Sequence, residues 1–447
     1  MKKPNVIFVF ADQLRYQATG FGGDANVQTP HLDHLANQSL NFTTAVSGCP
    51  VCSPARASLL TGQYPDKHGV FVNDVCLRSD AMSLAEAFKG AGYDTAYIGK
   101  WHIDGHGRSN YIPPERRHGF DFWRVLECTH QYNQSYYYAT DDTEQRLWDE
   151  YDAIAQTREA QGYIQNRTTQ TPFFLTLSWG PPHAPYQTAP ERYQAMYTPE
   201  ALELHPNVPS EVEEQARRDL AGYYAHITAL DDLIHDLLET VKDCGIEDNT
   251  IFVFWSDHGD MLGSQGEHKK QRPWDESIRV PLLIHYPERY GQQGRRIATP
   301  INTPDLMPTL LGMCGIPIPS TVQGLDYTPF LDLKATEPAN AALIACYHPF
   351  GQYTRNHGGK EYRGVRTEQY TYVRDLNGPW LLYDNANDPF QLKNRVGTAE
   401  FQPIVRQLDQ VLEGLLNQYE DEFLSGEEYI KAWGYVTDEN GTVPYTN

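Results

Sequence analysis

The chain has 447 residues, with 36 Lys and Arg against 58 Asp and Glu, and its formal net charge is −22 at pH 7. With 40% hydrophobic and 12% aromatic residues, a chain of this length can bury a large core and form more than one domain. The strong negative charge argues against nucleic acid as a partner, and neither a basic block nor a long apolar segment points to a membrane. An anionic ligand would need a local cluster of cations inside a cleft, because salt screens distant charges.

The first strand and the cysteines bear on the compartment. The basic start and the apolar run 6–10 resemble a signal peptide, but the run is short and leads directly into Asp12, so it predicts a buried strand. The seven cysteines are too scattered for a disulfide framework, and Cys49 and Cys52 form a Cys-x-x-Cys pair without a second such pair. We expect reduced thiols in a cytoplasmic protein, or a periplasmic or secreted protein if a leader has been removed.

Four apolar runs of strand length each lead into a group of polar residues. They are runs 6–10, 95–98, 173–178 and 251–256, which lead into Asp12-Gln13, Lys100-Trp101-His102, Pro182-His183 and Asp257-His258-Gly259-Asp260. This pattern is typical of parallel strands whose carboxyl ends meet at a functional site. Helices separate the runs, and capping boxes are predicted at Ser83 and at Ser210, where a long helix opens that Gly245 closes. We predict an α/β fold with a large mixed, mostly parallel sheet flanked by helices.

The pattern changes near residue 340. Runs 364–367 and 370–374 and the turn at 377–378 predict a small antiparallel sheet, and apolar residues recur at helical spacing over 401–419. We therefore predict a catalytic domain over residues 1–340 and a smaller C-terminal α+β subdomain over residues 341–447.

The segment 52–62, Cys-Ser-Pro-Ala-Arg-Ala-Ser-Leu-Leu-Thr-Gly, carries the most specific signal. Pro54 suits the first turn of a helix and Gly62 the residue after its end, which places Cys52 at the N-terminal mouth of the helix. Unpaired backbone N–H groups stabilise an anion there, and Arg56 adds a positive charge one turn into the helix. The arrangement suits a tetrahedral oxyanion such as a sulfate or phosphate group.

This segment resembles the signature of the type I sulfatases of the alkaline phosphatase superfamily. The resemblance implies that a maturase oxidises Cys52 to formylglycine, whose hydrated aldehyde attacks the sulfur of a sulfate ester. Because the commonest substrates of the family are sulfated sugars, a carbohydrate sulfate ester is the predicted substrate.

The resemblance also implies a divalent metal held by Asp12, Gln13, Asp257 and His258, together with the side chain derived from Cys52. Oxygen-rich ligands of this kind favour Ca²⁺. Many family members have Asp at the position of Gln13 and Asn at that of His258. The nitrogen donor of His258 makes Mn²⁺ or another divalent ion an alternative.

Further site residues follow from the same resemblance. Lys100, His183 and Lys270 are predicted to bind the sulfuryl oxygens, with His183 or Lys270 protonating the leaving group and His102 acting as a base. Lys269 is a rival for the role of Lys270. Apart from the resemblance, His106 and Arg272 are predicted to reach the mouth of the same cleft and to bind substrate.

Two other functions stay open at this point. Gln13 and His258 also resemble the phosphonate monoester and phosphodiester hydrolases of the same superfamily. If Cys52 remained an unmodified thiol, the protein would bind sulfated saccharides without turning them over.

Overall fold

A computed structural model describes residues 2–167 and 171–446. Within these residues, 17 strands are present: β1 (Asn5–Asp12), β2 (Leu40–Phe42), β3 (Ala45–Val46), β4 (Asp94–Lys100), β5 (Phe122–Leu126), β6 (Tyr136–Ala139), β7 (Arg146–Leu147), β8 (Phe173–Pro182), β9 (Thr250–Ser256), β10 (Arg279–Val280), β11 (Leu282–His285), β12 (Arg295–Ile297), β13 (Ile301–Asn302), β14 (Ala341–Cys346), β15 (Tyr362–Thr367), β16 (Tyr370–Asp375) and β17 (Gly378–Asp384).

The described residues also form 13 α-helices, most of them short: α1 (Pro30–Ala36), α2 (Cys52–Thr61), α3 (Pro65–His68), α4 (Leu84–Gly90), α5 (Asp152–Gln165), α6 (Glu191–Gln194), α7 (Glu213–Asp243), α8 (Asp275–Ile278), α9 (Pro287–Tyr290), α10 (Leu306–Met313), α11 (Thr328–Leu331), α12 (Gln402–Tyr419) and α13 (Gly426–Trp433). None of the helices in this part of the chain is both long and apolar enough to cross a membrane.

The largest sheet has the strand order β12-β2-β11-β9-β1-β8-β4-β5-β6-β7 over the described residues. Its centre, from β9 through β5, is parallel. Side chains of β1 alternate between two cores: Val6, Phe8 and Phe10 pack on one face, and Ile7 and Val9 on the other. Both faces of the central strands are therefore covered, as continuous apolar runs predict. The predicted α/β class with a mostly parallel sheet is confirmed.

The register of the central strands brings their carboxyl ends to one edge. Asp12 at the end of β1 lies beside Pro182 at the end of β8, and Ala11 lies beside Ser256 at the end of β9. Gly99 of β4 lies beside Ser178 of β8. The polar residues that follow the four apolar runs consequently meet at this edge.

The C-terminal part forms a separate antiparallel sheet with the order β14-β15-β16-β17. Helix α12 packs on it through Val405, Leu408, Leu412 and Leu416. One of the contacts between this sheet and the larger part of the molecule is the backbone hydrogen bond from Ala345 N–H to the Gly48 carbonyl. The antiparallel sheet with its helix is confirmed, whereas the domain division at 340/341 stays a prediction; its outer bounds, residues 1 and 447, lie outside the described residues.

The two predicted capping boxes have different outcomes in the structure. The capping box at Ser83 is present, with Glu86 N–H donating to the Ser83 hydroxyl and Ser83 N–H to the Glu86 carboxylate. The second one is wrong, because α7 begins at Glu213 after the N-cap residue Val212, which makes no side-chain cap. Residues 210–212 form a turn instead, so Ser210 lies before the helix and does not cap it.

Candidate active site

Helix α2 places Cys52 at the edge where the parallel strands end. The helix begins at Cys52 itself, two residues before Pro54, and ends at Thr61 before Gly62, whose φ of 64° is the left-handed conformation expected of a helix-terminating glycine. Pro54 is tolerated inside the first turn because its missing N–H would have no helical partner there. All ten residues of α2 are buried, so the positive end of the helix faces an enclosed site.

Arg56 joins the helix to four strands of the sheet, β1, β4, β8 and β9. Its guanidinium donates to Asp12 Oδ2 and Asp257 Oδ2, each at 3.1 Å. It also donates to the Lys100 carbonyl at 2.7 Å and to the Ser178 hydroxyl at 2.8 Å. Since the Arg56 side chain is buried and fully paired, it fixes the positions of both carboxylates relative to Cys52.

Four potential ligands surround one point at the N-terminus of α2. One ligand atom from each of Asp12, Cys52, Asp257 and His258 lies within 4.8 Å of the other three. His258 Nδ1 lies 2.9 Å from the Gly259 carbonyl, to which it must donate, so Nε2 is the nitrogen that faces Cys52 Sγ at 3.2 Å. A hydrogen bond from the other ring nitrogen to a backbone carbonyl orients a metal-binding imidazole in this way.

Gln13 completes this donor set. It has a positive φ of 72°, and its amide nitrogen donates to Asp260 Oδ2 at 2.5 Å. Its Oε1 atom is buried and has no hydrogen-bond partner among the described residues. A buried acceptor without a donor is costly, and a divalent cation would satisfy it. The donor set therefore fits a divalent metal.

Two lysines and a histidine face Cys52 from the other side. Lys270 Nζ lies 3.0 Å from Cys52 Sγ and 3.1 Å from His183 Nε2, and Lys100 Nζ lies 2.6 Å from Asp12 Oδ2. Although burial opposes ionisation of Asp12, the Lys100 ammonium holds the pKa of the Asp12 carboxyl well below its usual range. Burial and the neighbouring Lys270 hold the pKa of His183 well below its usual range.

The structure distinguishes the two adjacent lysines. Lys270 is buried against Cys52, whereas Lys269 is exposed and has a φ of 58°. The left-handed backbone at Lys269 turns consecutive side chains in different directions, so only Lys270 enters the cleft.

His102 has a partner that the sequence did not indicate. Its Nε2 lies 2.9 Å from Asp74 Oδ1 and must donate to that carboxylate, while its buried Nδ1 has no partner among the described residues. Asp74 thereby fixes the ring so that Nδ1 is the nitrogen available to accept a proton. The role of His102 as a base stays a prediction.

Three further residues contact predicted site residues, directly or through one another, but were not themselves predicted from the sequence as part of the site. Asp260 accepts from Gln13 and from the Tyr186 hydroxyl, at 2.6 Å in the latter case. The His130 ring stacks on that of His183, with ring centroids 4.2 Å apart. Asp260 could have been found from its place at the end of the Asp257-His258-Gly259-Asp260 segment, but Tyr186 and His130 carry no comparable signal.

His106 and Arg272 have other contacts in the structure. The half-buried His106 interacts with Asp104, with Nδ1 2.5 Å from its carbonyl oxygen. Arg272 donates to the Glu267 carboxylate and, at 2.9 Å, to the Gly358 carbonyl. Their part in substrate binding stays a prediction.

The fold and the site together define a class of hydrolase: an α/β enzyme that holds an oxyanion between a buried helix N-terminus, a cluster of cations and a divalent-metal site. A family model described as Sulfatase matches residues 4–316, and one described as N-sulphoglucosamine sulphohydrolase, C-terminal, matches residues 263–418. The chain belongs to the sulfatase family and is a sulfuric ester hydrolase, a membership that implies a divalent metal and a formylglycine.

An ulvan-active sulfatase of Formosa agariphila is 45% identical over 99% of this chain and 87% of its own length. A Bacteroides thetaiotaomicron structure, solved in work on the metabolism of multiple glycosaminoglycans, has a TM-score of 0.86 and 31% identity over 96% of this chain and 99% of that chain. A phosphonate monoester hydrolase of Agrobacterium radiobacter is also similar, with a TM-score of 0.78 and 25% identity over 93% of this chain and 96% of that chain.

Proposed function

We propose that this sulfatase hydrolyses sulfate esters of carbohydrates, adding water to give the free sugar hydroxyl and inorganic sulfate. The observation that carries the proposal is the position of Cys52, whose Sγ lies 3.0 Å from Lys270 Nζ and 3.2 Å from His258 Nε2. The side chain at this position therefore lies between the proposed metal ligands and the cations that would hold a sulfuryl group. The ulvan-active relative and the structure from glycosaminoglycan metabolism support a saccharide as the substrate.

Asp12, Gln13, Asp257 and His258 would hold the metal, for which Ca²⁺ is the first choice and Mn²⁺ the alternative. When bound, the metal would supply positive charge that polarises the nucleophile and an oxygen of the sulfate group. The unpartnered Oε1 of Gln13 supports its inclusion in the ligand set.

Side chains of the protein would stabilise charge on the sulfate group and transfer protons. Lys100 and Lys270 would neutralise the charge that develops on the sulfuryl oxygens. His183 Nε2 accepts from the Lys270 ammonium, and His183 Nδ1, 2.8 Å from the Ala184 carbonyl, must carry the ring proton. The proton for the leaving alcohol is therefore available from Lys270, while the free Nδ1 of His102 would accept the proton that permits sulfate to leave.

The residue derived from Cys52 supplies the nucleophile, and a formylglycine-forming maturase is the implied partner. A hydrated aldehyde has a second hydroxyl, from which sulfate can be expelled with recovery of the aldehyde. A simple alcohol at this position would be left as a stable sulfate ester, so the modification explains how the enzyme turns over repeatedly.

A phosphonate monoester or phosphodiester is the second candidate substrate. It is favoured by the Gln13 and His258 pair and by the similarity to the phosphonate monoester hydrolase. The match to the Sulfatase model and the 45% identical relative favour sulfate esters over it.

Mass spectrometry of the peptide that contains Cys52 tests the modification. Protein produced with the maturase should contain the aldehyde and release sulfate from sulfated saccharides, and protein produced without the maturase should contain the thiol and release none. Absence of the aldehyde from natively produced protein would contradict the proposal and favour a non-catalytic saccharide-binding role.

A further inference from the structure

A cationic side chain outside the catalytic cluster is connected to it by stacked imidazole rings. The connection starts at Cys52, which contacts Lys270, and Lys270 contacts His183. The His183 ring stacks on His130 at 4.2 Å with an interplanar angle of 10°. His130 Nδ1 then accepts from the Arg108 guanidinium at 2.9 Å. Arg108 is exposed, so this connection runs from the buried nucleophile position to the protein surface.

The side-chain partner of Arg108 is an imidazole ring, whereas two nearby arginines pair with carboxylates. Arg116 pairs with the Asp104 carboxylate at 2.6 Å, and Arg146 pairs with the Asp142 carboxylate at 2.7 Å. Arg108 instead donates to a ring nitrogen of His130, which must be unprotonated to accept. That contact does not neutralise the positive charge of Arg108. The Asp74 carboxylate lies near enough to interact with this charge, but its hydrogen bond is made to His102.

The backbone around Arg108 is held in place from several directions. The Arg108 carbonyl accepts from Cys128 N–H at 3.1 Å, and the next carbonyl, that of Ser109, accepts from the Tyr138 hydroxyl at 2.9 Å. Three residues earlier, Gly105 N–H donates to the buried Glu127 carboxylate at 3.1 Å. An arginine on an anchored loop loses less conformational entropy on binding an anion than one on a free loop.

We propose that Arg108, oriented by His130, forms a second anion-binding subsite beside the catalytic cluster, for a carboxylate or second sulfate group on the same saccharide. The proposal rests on the proposed saccharide substrate. The contact with His130 uses one of the five N–H donors of the guanidinium, which leaves enough donors for a bidentate contact with a carboxylate or sulfate. The enzyme would thereby select saccharides that carry two neighbouring anionic groups over those that carry one.

Isothermal titration calorimetry with two matched ligand pairs tests this subsite, on protein produced without the maturase so that Cys52 stays a thiol and the ligands are not hydrolysed. The first pair is glucosamine 2-N,6-O-disulfate and N-acetylglucosamine 6-sulfate, and the second is chondroitin 4-sulfate disaccharide and its carboxyl-reduced form. We expect the wild-type protein to bind the dianionic member of at least one pair at least tenfold more tightly. R108A should reduce that preference to about threefold or less, since a charge-assisted bidentate contact is lost, and R108K should give an intermediate value. R146A is the matched control and should keep the full preference.

A preference in the second pair alone would identify the ligand group as a carboxylate, and one in the first pair alone as a second sulfate. The subsite would be overturned if the wild-type protein showed no preference in either pair, or if R108A kept the full preference. Calorimetry does not require turnover, so a failure of sulfatase activity and a failure of this subsite give different results.

Discussion

Lys269 and Lys270 are adjacent and chemically identical, but only Lys270 is buried against Cys52 and His183. We predict that Lys270→Ala lowers kcat/KM for a sulfate ester by about 100-fold or more, because a charge that stabilises the transition state is lost. Lys269→Ala is the matched control and should stay within about threefold of the wild type in the same assay. Equal losses in the two variants would show that the cleft is not arranged around Lys270.

Asp74 holds the His102 ring through a hydrogen bond to Nε2. Asp74→Asn would offer an amide N–H to His102 Nε2, which favours the proton on Nδ1 and removes the free nitrogen. We expect kcat to fall by about 10- to 100-fold or more with little change in KM, since an analogous Asp-to-Asn change in a histidine-based site acts in this way. Steady-state kinetics on a sulfate ester measures both parameters. A matched control is Asp80→Asn, whose carboxylate is exposed and paired with Arg78; a larger effect there than at Asp74 would contradict the account.

At this scale the sequence predicted the residues at strand ends, and the structure brings Cys52, Arg56, Lys100, His183 and Lys270 together at one edge. It could not predict Asp74, because the pairing with His102 spans 28 residues and depends on the folded loop. The sequence also could not decide which of Lys269 and Lys270 enters the site, since this depends on the positive φ at Lys269 and not on residue type.

Strands β4 and β8 approach closely at Gly99. Gly99 has a φ of 107°, and a Cβ atom there would lie 2.0 Å from the Ser178 carbonyl oxygen. Gly99→Ala should therefore lower the free energy of unfolding by about 3–4 kcal/mol, combining backbone strain with a forced shift of a strand. Urea denaturation measures this loss.

Gly92 provides a matched control for the same change. Its φ is 83°, but a Cβ atom would meet nothing within 4 Å. Gly92→Ala should cost only the backbone strain of about 1–2 kcal/mol. The two variants would then differ by the steric clash alone, and equal losses would contradict the close approach of β4 and β8 at Gly99.

Helices and strands were predicted unequally well. The long apolar runs identified β1, β4, β8 and β9, because burial on both faces leaves an unmistakable pattern. The two Ser-x-x-Glu motifs, at Ser83 and Ser210, had different outcomes. A local motif shows that a cap can form there, whereas the helix start also depends on packing that the local sequence does not contain.

The C-terminal sheet is joined to the rest of the molecule by a buried ion pair. Arg366 of β15 makes two hydrogen bonds of 2.9 Å to the Asp275 carboxylate at the start of α8, and both side chains are buried. Arg366→Met would leave that carboxylate without its principal partner, so we expect the free energy of unfolding to fall by about 3–5 kcal/mol. Arg366→Met combined with Asp275→Asn should recover part of the loss in urea denaturation.

Arg158 and Asp149 form an exposed ion pair that serves as the control. Arg158→Met should change the free energy of unfolding by about 1 kcal/mol or less. If Arg366→Met lowered the free energy of unfolding by as little as Arg158→Met, the ion pair would not hold the C-terminal sheet to the rest of the molecule.

Over the whole molecule, the family resemblance supplied what local patterns could not. The proposed metal ligands Asp12 and Asp257 are far apart in sequence, and only the parallel arrangement of β1 and β9 brings them together. Residues 364–374 indicated an antiparallel sheet from their own pattern, but its ion pair with α8 depends on tertiary packing that no local pattern records.

The enzyme should act on sulfate esters in preference to phosphonate esters. The most direct test of this preference is kcat/KM for 4-nitrophenyl sulfate against 4-nitrophenyl phenylphosphonate, measured on protein produced together with the formylglycine-forming enzyme. We predict a clear preference for the sulfate ester. A preference for the phosphonate would rule out a site specialised for sulfate esters and would identify Gln13 and His258 as marks of a phosphonate hydrolase.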